Sequence, residues 1–391
     1  MTIVDIALIV LLAIALLTGI ARGFFATVGF FVGLAAGGAA AYWLTPFIGE
    51  LVTDPAWRGA AIIGGGVLLL IAGSAIGSGI GNAVRRGADR IKLRVPERIL
   101  GGAVNLIAAA LALSLVAGAV TQTGIPVVST ALASSNVVRT IDQLTPAPVR
   151  AALAEIRGTV LGDGIPRLGQ LIDIGQVPTA PQIALDDPAL TRAAQSVARI
   201  TGTAYACGIT ASGSGFVAGA DRVITNAHVV AGVDAPLVEL PGQPAREGRV
   251  VYFDPNDDLA VIAVDGLDAR TLPVVSPLGV GAAAVVQGYP YGGPFTSGTA
   301  QVISEGTVPV PNIYNSGSQP RDIYALKAVV RPGNSGGPLL TPSGDVAGIV
   351  FARSETDDDI GYAMTTAELS PVLSQLGSLS TRVASGSCAK E

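Results

Sequence analysis

The chain has 391 residues, of which 50% are hydrophobic and only 14% are charged, and its formal net charge is −5. A soluble globular chain carries about 25% charged residues, so this composition indicates a membrane protein or a chain with a large membrane part. It excludes intrinsic disorder, a coiled coil and a small disulfide scaffold. Basic residues exceed acidic ones only in residues 1–120, by 8 to 5, whereas residues 200–391 hold 10 against 18. A nucleic-acid partner therefore has almost no support.

Four long apolar runs occupy the first third of the chain, at residues 3–20, 24–45, 59–81 and 99–120. Each is close to the ~20 residues that a helix needs to cross the hydrocarbon core of a bilayer. The first run has no basic segment before it and three more runs follow, so it is interpreted as a retained helix rather than a signal peptide. Residues 1–120 are therefore predicted to form an all-α, four-helix transmembrane domain.

Loop charges predict the orientation of these helices, because cytoplasmic loops carry an excess of Lys and Arg. The connection between the third and fourth runs carries six basic residues: Arg85, Arg86, Arg90, Lys92, Arg94 and Arg98. The connection between the second and third runs has only Arg58, beside Glu50 and Asp54. Trp43 and Trp57 flank this second connection, as expected of amphipathic rings at a membrane interface. The six-cation loop is thus predicted to be cytoplasmic, which places both termini and everything after residue 121 outside the inner membrane.

Glycines recur every fourth residue in the second and third runs, at Gly29, Gly33, Gly37, Gly73, Gly77 and Gly81. This spacing predicts a glycine face and close helix packing; the alternative is general glycine richness, since the chain holds 50 glycines. Asn105 is expected to bridge two helices. No Asp, Glu or His lies inside a helix interior, so a proton or ion pathway is unsupported. By helix count, length and glycine pattern, this region resembles the colicin V production protein family.

Residues 121–199 are predicted to be a partly helical periplasmic linker, because seven prolines limit any helix to a few turns. They are Pro126, Pro146, Pro148, Pro166, Pro178, Pro181 and Pro188. Short helices are expected at about 135–144, 149–157 and 188–199. The last of these begins at Asp187-Pro188, where an N-cap residue precedes proline at the first helical position. Nothing in the linker suggests chemistry.

Residues 200–391 consist of short apolar runs separated by Gly, Pro, Asn and Asp. Examples are 215–217, 222–225, 259–264, 283–287, 324–330 and 346–351. Many short strands at near-regular spacing predict a β-barrel or a sandwich. About 190 residues is enough for two small barrels.

Three motifs in this region carry residues suited to chemistry. TNAHV contains His228, the only histidine of the chain, although a lone histidine is more often structural. DDLAV places Asp257 and Asp258 directly before an apolar strand, a position that acidic residues commonly take. RPGNSGGPL, at residues 331–339, surrounds Ser335 with glycines, and an ordinary glycine-rich turn is the alternative.

The third motif fits the demands of nucleophilic catalysis. A serine hydroxyl becomes a useful nucleophile only when a base can take its proton. The backbone before it must also curl, so that N–H groups point at the developing oxyanion. Gly333, Gly336 and Gly337 permit that positive-φ geometry and a close approach of substrate.

TNAHV, DLAV and GNSGGP, in the order His, Asp, Ser, resemble the trypsin/chymotrypsin-like serine proteases, especially the bacterial HtrA-like branch. Together with the four helices, the whole chain resembles the actinobacterial MarP group of membrane-anchored periplasmic proteases. The resemblance implies an all-β, chymotrypsin-like double β-barrel for residues 200–391. The chain is thus expected to be multidomain, with this protease domain following the all-α transmembrane domain and the linker.

The resemblance also implies roles for the motif residues. Ser335 would be the nucleophile, His228 the general base and then acid, and Asp258 the carboxylate that orients the imidazole. The oxyanion hole would consist of Gly333, Asn334 and Ser335, with the N–H groups of Gly333 and Ser335 as donors. Asp257 competes with Asp258, but the family pattern places the carboxylate immediately before Leu-Ala and favours Asp258.

Two departures from the family pattern are expected to matter. Asn334 stands where digestive proteases have an aspartate that pairs with a newly cut N-terminus, so that activation switch is expected to be absent. About 15 residues follow Leu376, too few for a PDZ domain, which puts HtrA-style trimers and PDZ control in doubt. By analogy, residues 348–352 would line the S1 pocket, and their lack of charge predicts an apolar or small P1 residue.

Cys207 and Cys388 are the only cysteines, and both fall in the predicted extracytoplasmic part. An oxidising compartment favours a disulfide between them, with two separate thiols as the alternative. Closing a loop of ~180 residues contributes about 5 kcal/mol in the chain-entropy model. Neither cysteine has the spacing of a zinc site, so no metal is expected, and no organic cofactor either.

The sequence therefore predicts a membrane-anchored, extracytoplasmic serine endopeptidase that cleaves cell-envelope proteins through an acyl-enzyme. The MarP resemblance also implies a role in resisting acid or oxidative stress. Protein or peptide substrates and the lipid bilayer are the expected partners, and the oligomeric state is left open. One alternative is a catalytically silent, peptide-binding membrane scaffold or sensor, which the intact His, Asp and Ser argue against. Another is a channel or export component, which the lack of intramembrane ionisable residues disfavours.

Overall fold

The computed structural model describes residues 3–51, 55–88, 94–121, 132, 135–161, 165–169, 183–207 and 209–389. The chain divides into two compact units. The first unit comprises residues 1–114 and 135–141, and the second comprises residues 115–134 and 142–391.

The first third of the chain forms four long helices. They are α1 (Ile3–Arg22), α2 (Phe24–Leu51), α3 (Pro55–Ala88) and α4 (Arg94–Thr121). All four are long and apolar enough to cross a membrane, which confirms the predicted all-α architecture. Helix α3 continues past the apolar run to Arg85 and Arg86 in its last turn, where cations interact favourably with the helix dipole. Of the six predicted loop cations, Arg90 and Lys92 lie outside the described residues.

The glycine faces of α2 and α3 lie against each other with backbone contact. A Cβ added at Gly33 would lie 2.1 Å from the carbonyl oxygen of Gly73, and one added at Gly29 would lie 2.2 Å from that of Gly77. In the other direction, a Cβ at Gly77 would lie 2.0 Å from the carbonyl oxygen of Gly29. A side chain at any of these positions would force the two helices apart. Close packing, rather than general glycine richness, therefore explains this spacing.

Two polar side chains tie other parts of the first unit together. Asn105, on α4, donates through Nδ2 to the carbonyl oxygen of Ala15 at 2.6 Å and to Thr18 Oγ1 at 3.1 Å, both on α1. It therefore bridges two helices, as the sequence predicts. The buried carboxylate of Asp5 accepts a hydrogen bond from Ser135 Oγ at 2.7 Å.

The described residues of the predicted linker contain four short elements. They are α5 (Asn136–Leu144), α6 (Ala147–Leu161), β1 (Arg167–Leu168) and α7 (Pro188–Ala194). Asp187 Oδ1 accepts from the Ala189 N–H at 2.7 Å and caps α7 as predicted. The expected extension of α7 to Arg199 is wrong, because residues from Val197 onward pair with the next strand instead. The prolines at 126, 178 and 181 lie outside the described residues.

Parts of this linker pack into the second unit. Ala154 on α6 is 1% exposed and Ile165 is 4% exposed. Ile165 joins an apolar cluster with residues of the β-sheet domain. These residues are therefore core residues of the second unit, not members of a free spacer.

Two seven-stranded sheets follow. Sheet I contains β2 (Val197–Ala204), β3 (Ile209–Gly219), β4 (Arg222–Thr225), β5 (Leu237–Glu239), β6 (Arg246–Glu247), β7 (Arg249–Asp254) and β8 (Leu259–Ala263). Sheet II contains β1, β9 (Ala283–Gly288), β10 (Thr296–Pro311), β11 (Ser318–Lys327), β12 (Pro338–Leu340), β13 (Val346–Ser354) and β14 (Ile360–Thr365). Two helices complete the domain: α8 (Ala227–Val230) and α9 (Thr366–Gln375).

The strand orders give two barrel-like layers around separate cores. Sheet I runs β6-β5-β2-β3-β4-β8-β7, and Val238 of β5 shares an apolar core with Val250 of β7, at the far end of that order. Sheet II runs β1-β13-β12-β9-β10-β11-β14, and a further β13–β14 pairing closes six of its strands. A third cluster joins the sheets, packing Phe216 and Ile224 of sheet I with Phe351 and other residues of sheet II. This is the predicted all-β, chymotrypsin-like protease fold.

A disulfide joins Cys207 to Cys388, with Cα atoms 5.9 Å apart. The tail before Cys388 runs along sheet I: the Gly232 N–H donates to the carbonyl of Ser385 at 3.0 Å, and Ser385 Oγ donates to that of Val233 at 2.8 Å. The disulfide therefore links two segments of the chain that hydrogen bonds also hold together.

The glycine face yields a matched test on one helix. Gly77→Ala places a methyl group on the α2 backbone and is expected to destabilise the protein by about 1–3 kcal/mol through overpacking. Gly79→Ala, also on α3, meets nothing within 4 Å and should be neutral or stabilising by up to about 1 kcal/mol, because alanine is the better helix former. Unfolding of the full chain in detergent micelles measures both. Equal effects of the two variants would contradict the close contact.

Candidate active site

His228 and Asp258 form a hydrogen-bonded pair on sheet I. His228 lies on the single turn of α8 that follows β4. Its Nδ1 lies 2.8 Å from Oδ2 and 3.0 Å from Oδ1 of Asp258, and its backbone N–H donates to Oδ1 at 2.9 Å. Both side chains are nearly buried. A carboxylate on Nδ1 fixes the ring orientation and favours the tautomer whose Nε2 is free to accept a proton.

The turn before β8 holds Asp258 in a strained but well-supported position. Asp258 has φ +55°, in the left-handed region that non-glycine residues seldom adopt. Asn226 Nδ2 donates to its carbonyl oxygen at 2.9 Å. Asp257 precedes Asp258 in the same turn. Its backbone N–H donates to Asp254 Oδ1 at 3.2 Å. Of the two competing carboxylates, Asp258 contacts the imidazole.

Asp257 has a different environment. Burial raises the pKa of its carboxyl group, and the neighbouring Asp254 raises it further, while Arg321 acts in the opposite direction. Its charged form is therefore disfavoured by the fold.

Arg321, on β11 of sheet II, supports the turn from the other sheet. Its side chain is 1% exposed, and its Nη2 donates to the carbonyl oxygens of Asn256 and Pro311, the latter at 3.2 Å. Its guanidinium carbon also lies 5.8 Å from the centre of the Phe351 ring. Burial lowers the pKa of this guanidinium, and Asp258 is the first of several carboxylates that act against the shift. Arg321 thus places a buried positive charge behind the His–Asp pair.

Ser335 lies on a tight loop of sheet II between β11 and β12. Two glycines with positive φ shape this loop, Gly333 at +91° and Gly336 at +80°. A Cβ at Gly333 would lie 2.4 Å from the carbonyl oxygen of Tyr289, so only glycine fits there. The Gly336 N–H donates to the carbonyl of Val350 on β13 at 2.8 Å. The loop is therefore fixed on both sides of the serine.

Two backbone N–H groups of the serine loop are left without an acceptor among the described residues. Within the described ranges, the N–H groups of Gly333 and Ser335 have no hydrogen-bond acceptor, whereas the Asn334 N–H between them donates to Arg331 at 3.0 Å. Free N–H groups on either side of one residue suit the binding of an oxyanion. Asn334 itself is 5% exposed, and its Oδ1 has no partner among the described residues.

Ser214, a residue that sequence reasoning missed, joins the loop to sheet I. It lies on β3 and is fully buried. Its Oγ donates to the carbonyl of Gly333 at 2.6 Å and accepts the Tyr289 N–H at 2.9 Å, while its own N–H donates to the carbonyl of Ser335 at 2.8 Å. Holding the Gly333 carbonyl in this direction also sets the direction of the peptide groups beside it. The only sequence signal is a glycine on each side of this serine.

The hydroxyl and the imidazole do not yet form a hydrogen bond. Ser335 Oγ and His228 Nε2 are both buried and both lack a partner among the described residues. Such bonds are often long in a free enzyme and tighten when substrate binds. Val350 of the predicted pocket strand is fully buried, and Arg353 is the one residue of β13 with intermediate exposure.

Comparisons with known proteins agree with this geometry. The sequence family of trypsin-like peptidase domains matches residues 213–349. The colicin V production protein family matches residues 4–146. Serine protease Rv3671c from Mycobacterium tuberculosis H37Rv is 31% identical over 394 residues, which cover 98% of each chain. This chain belongs to the Rv3671c family of serine proteases. It is a serine endopeptidase with a membrane-anchoring helical region.

A solved structure of this relative and a protease from another organism match the protease part. A crystal structure of the active form of Rv3671c protease is 34% identical, covers 56% of this chain and 99% of that one, and has a TM-score of 0.52. The Do-like protease HtrA of Lactococcus lactis IL1403 is 29% identical over 184 residues, 43% of this chain and 45% of the relative. The family match thus covers both the helices and the sheets, while the HtrA match is partial.

Ser214 can be tested against a neighbour on the same strand. Ser214→Ala removes the bond to Gly333 and leaves the Tyr289 N–H unpaired, so kcat should fall about 10- to 100-fold, less than for loss of a direct oxyanion donor. KM should change little, because the loop acts on the transition state. Ser212→Ala is the control, since the Ser212 hydroxyl has no partner among the described residues. Equal kcat in both variants would exclude a positioning role for Ser214.

The two aspartates form a second matched pair. Asp258→Asn should lower kcat about 10⁴-fold, because the imidazole loses its orienting anion. Asp257→Asn should retain activity and raise the melting temperature at pH 7. The sign follows from its raised pKa: the cost of the charged form is fully present above the folded pKa and disappears below the unfolded value of about 4. Activity lost only with Asp257→Asn would reverse the assignment, and equal loss in both variants would contradict the expected difference between the two carboxylates.

Proposed function

We propose that Ser335 is the nucleophile of this protease, with His228 as its base and Asp258 as the carboxylate that orients the base. The contact between His228 Nδ1 and Asp258 carries the proposal, because it leaves Nε2 as the free nitrogen of a buried imidazole. The serine loop approaches from the other sheet with two free N–H groups. No other histidine exists in the chain to take the role of base.

The reaction follows from this arrangement. Ser335 Oγ attacks the carbonyl carbon of a peptide bond as His228 Nε2 takes its proton, and the oxygen that becomes negative is bound by the N–H groups of Gly333 and Ser335. His228 then returns the proton to the leaving amine, which gives an acyl-enzyme. A water molecule, deprotonated by His228, releases the acid product and restores the serine. Asp258 stabilises the imidazolium in both halves.

We also propose an extracytoplasmic position for the protease unit, with both termini outside and proteins of the cell envelope as substrates. The Lys and Arg count of the helix connections supports this orientation. The Cys207–Cys388 disulfide supports it independently, because such bonds persist in oxidising compartments. The role in acid or oxidative stress that the resemblance implies stays a prediction.

The nucleophile is tested by labelling the full chain, in detergent micelles, with a fluorophosphonate probe. The wild-type protein should be labelled with loss of fluoride, and Ser335→Ala should not be. Ser304→Ala is the control, because this serine lies on β10, 31 residues before Ser335 in the sequence. Labelling that persists in Ser335→Ala, or that is absent from the wild type, would contradict the assignment.

A further inference from the structure

A short piece of the linker lies against the strand beside the proposed nucleophile. Strand β1 pairs in parallel with the end of β13, with Arg167 opposite Arg353 and Leu168 opposite Ser354. We call residues 165–169 the resident strand. The hydrogen bonds that join it to the protease unit include Arg353 N–H to Pro166 C=O at 3.1 Å, Glu355 N–H to Leu168 C=O at 3.1 Å, and Tyr362 O–H to Gly169 C=O at 3.2 Å.

The edge that it covers begins at the nucleophile loop. The Gly336 N–H donates to the carbonyl of Val350 at 2.8 Å, and the Val350 N–H donates to that of Gly337 at 2.9 Å. Beyond Val350, the same strand continues to Arg353 with its edge no longer covered by the loop. An extended peptide that binds beside Ser335 by strand addition would use this edge for its main-chain hydrogen bonds.

The side chain of Ile165 fills an apolar site next to this edge. It is 4% exposed and shares a buried cluster with Val330, Leu339 and Val350. Val330 precedes Ser335 by five residues, and Val350 is bonded to the residues that follow it. A branched aliphatic side chain of the linker therefore shares an apolar cluster with Val330 and Val350, which lie next to the serine loop.

The preceding helix of the linker contacts a turn that is hydrogen-bonded to the same loop. Helix α6 packs on the turn Pro290–Gly292: a Cβ at Gly293 would lie 2.5 Å from the Cβ of the buried Ala154. This turn is bonded to the loop, since the Tyr291 N–H donates to the carbonyl of Pro332 at 2.5 Å. The resident strand and α6 thus contact β13 and the 290–292 turn, two elements that are each hydrogen-bonded to the serine loop.

The direction of the resident strand explains why it is not itself a substrate in this position. Because the resident strand runs parallel to β13, the chain after Ile165 continues toward Arg353 and away from Val350 and Ser335. A substrate must place the carbonyl carbon of its pocket residue at Ser335, which needs the opposite direction. The resident strand therefore fills the edge and the pocket without offering a bond for cleavage.

We propose that residues 165–169 are an internal competitor of substrate, which an extended peptide with a branched aliphatic pocket residue must displace. This inference rests on the proposed function of Ser335. The strand and a substrate share one backbone edge and one pocket, so their binding is mutually exclusive. Such competition multiplies KM by a factor of one over the fraction of molecules whose β13 edge is free. It leaves kcat unchanged.

Ile165→Asp tests the competition, because a carboxylate is not tolerated in an apolar pocket without a partner. Val280→Asp is the matched control, since Val280 is 62% exposed on the same unit. Both variants are studied as the full chain in detergent micelles, with a fluorogenic peptide amide that carries valine before the scissile bond. Ile165→Asp should lower KM about tenfold at unchanged kcat, and Val280→Asp should behave as the wild type.

A second measurement uses the wild-type protein and does not depend on the folding of a variant. The enzyme is treated either with a peptidyl phosphonate that carries valine at the same position or with a small fluorophosphonate that lacks a peptide. Amide hydrogen exchange is then followed. With the peptidyl reagent, exchange of residues 165–169 should rise, while the amides of Arg353 and Glu355 stay protected by the new strand. The small reagent should leave the resident strand protected.

The outcomes separate this inference from the proposed function. Normal labelling with unchanged KM in a folded Ile165→Asp variant, or unchanged exchange of residues 165–169 under the peptidyl reagent, overturns the competition and leaves the nucleophile standing. Absence of labelling by both reagents overturns the proposed function and the inference with it. A change in kcat at constant KM would also contradict competition, since it indicates damage to the catalytic loop.

Discussion

The groups that would perform catalysis come from two different sheets, so the contacts that cross between the sheets decide whether a site exists. His228 and Asp258 belong to sheet I and Ser335 to sheet II. Apolar packing holds the two sheets together but is non-directional. The relative orientation of the two sheets is set by the few hydrogen bonds between them, at what we call the seam. Ser214 makes three of these bonds through its hydroxyl and its N–H. The seam therefore sets the relative position of nucleophile and base.

Arg321 crosses the same seam in the opposite direction, and it carries a charge. Burying a guanidinium costs several kcal/mol unless nearby groups compensate. Here the compensation comes from backbone carbonyls, the face of Phe351 and carboxylates that include Asp258. A hydrophobic residue at this position would avoid the desolvation cost but would leave the carbonyl oxygen of Asn256 without this hydrogen-bond donor.

The sequence predicts those parts of the molecule whose cause is local. The four helices follow from apolar runs, the glycine contact from a four-residue spacing, and the loop at Ser335 from glycines that must adopt positive φ. Ser214 and Arg321 could not be predicted, because a serine in a strand and an arginine in a strand are ordinary until the fold shows what lies opposite. The same holds for the end of α7: local pattern favours helix to Arg199, but pairing of Val197–Ala204 with β3 overrides it.

The resident strand is the most non-local feature, since its partner on β13 lies far along the chain, and its energetics fit a displaceable ligand. Burial of Ile165 contributes about 2–3 kcal/mol. The three hydrogen bonds to Pro166, Leu168 and Gly169 add about 1 kcal/mol each. Ordering five residues costs about 1–2 kcal/mol per residue. These opposing terms are of similar size, about 5–6 against about 5–10 kcal/mol, so the covered and free edges differ by only a few kcal/mol. A peptide that pairs with β13 gains a binding free energy comparable to that of the resident strand. It can therefore compete with the resident strand for this edge.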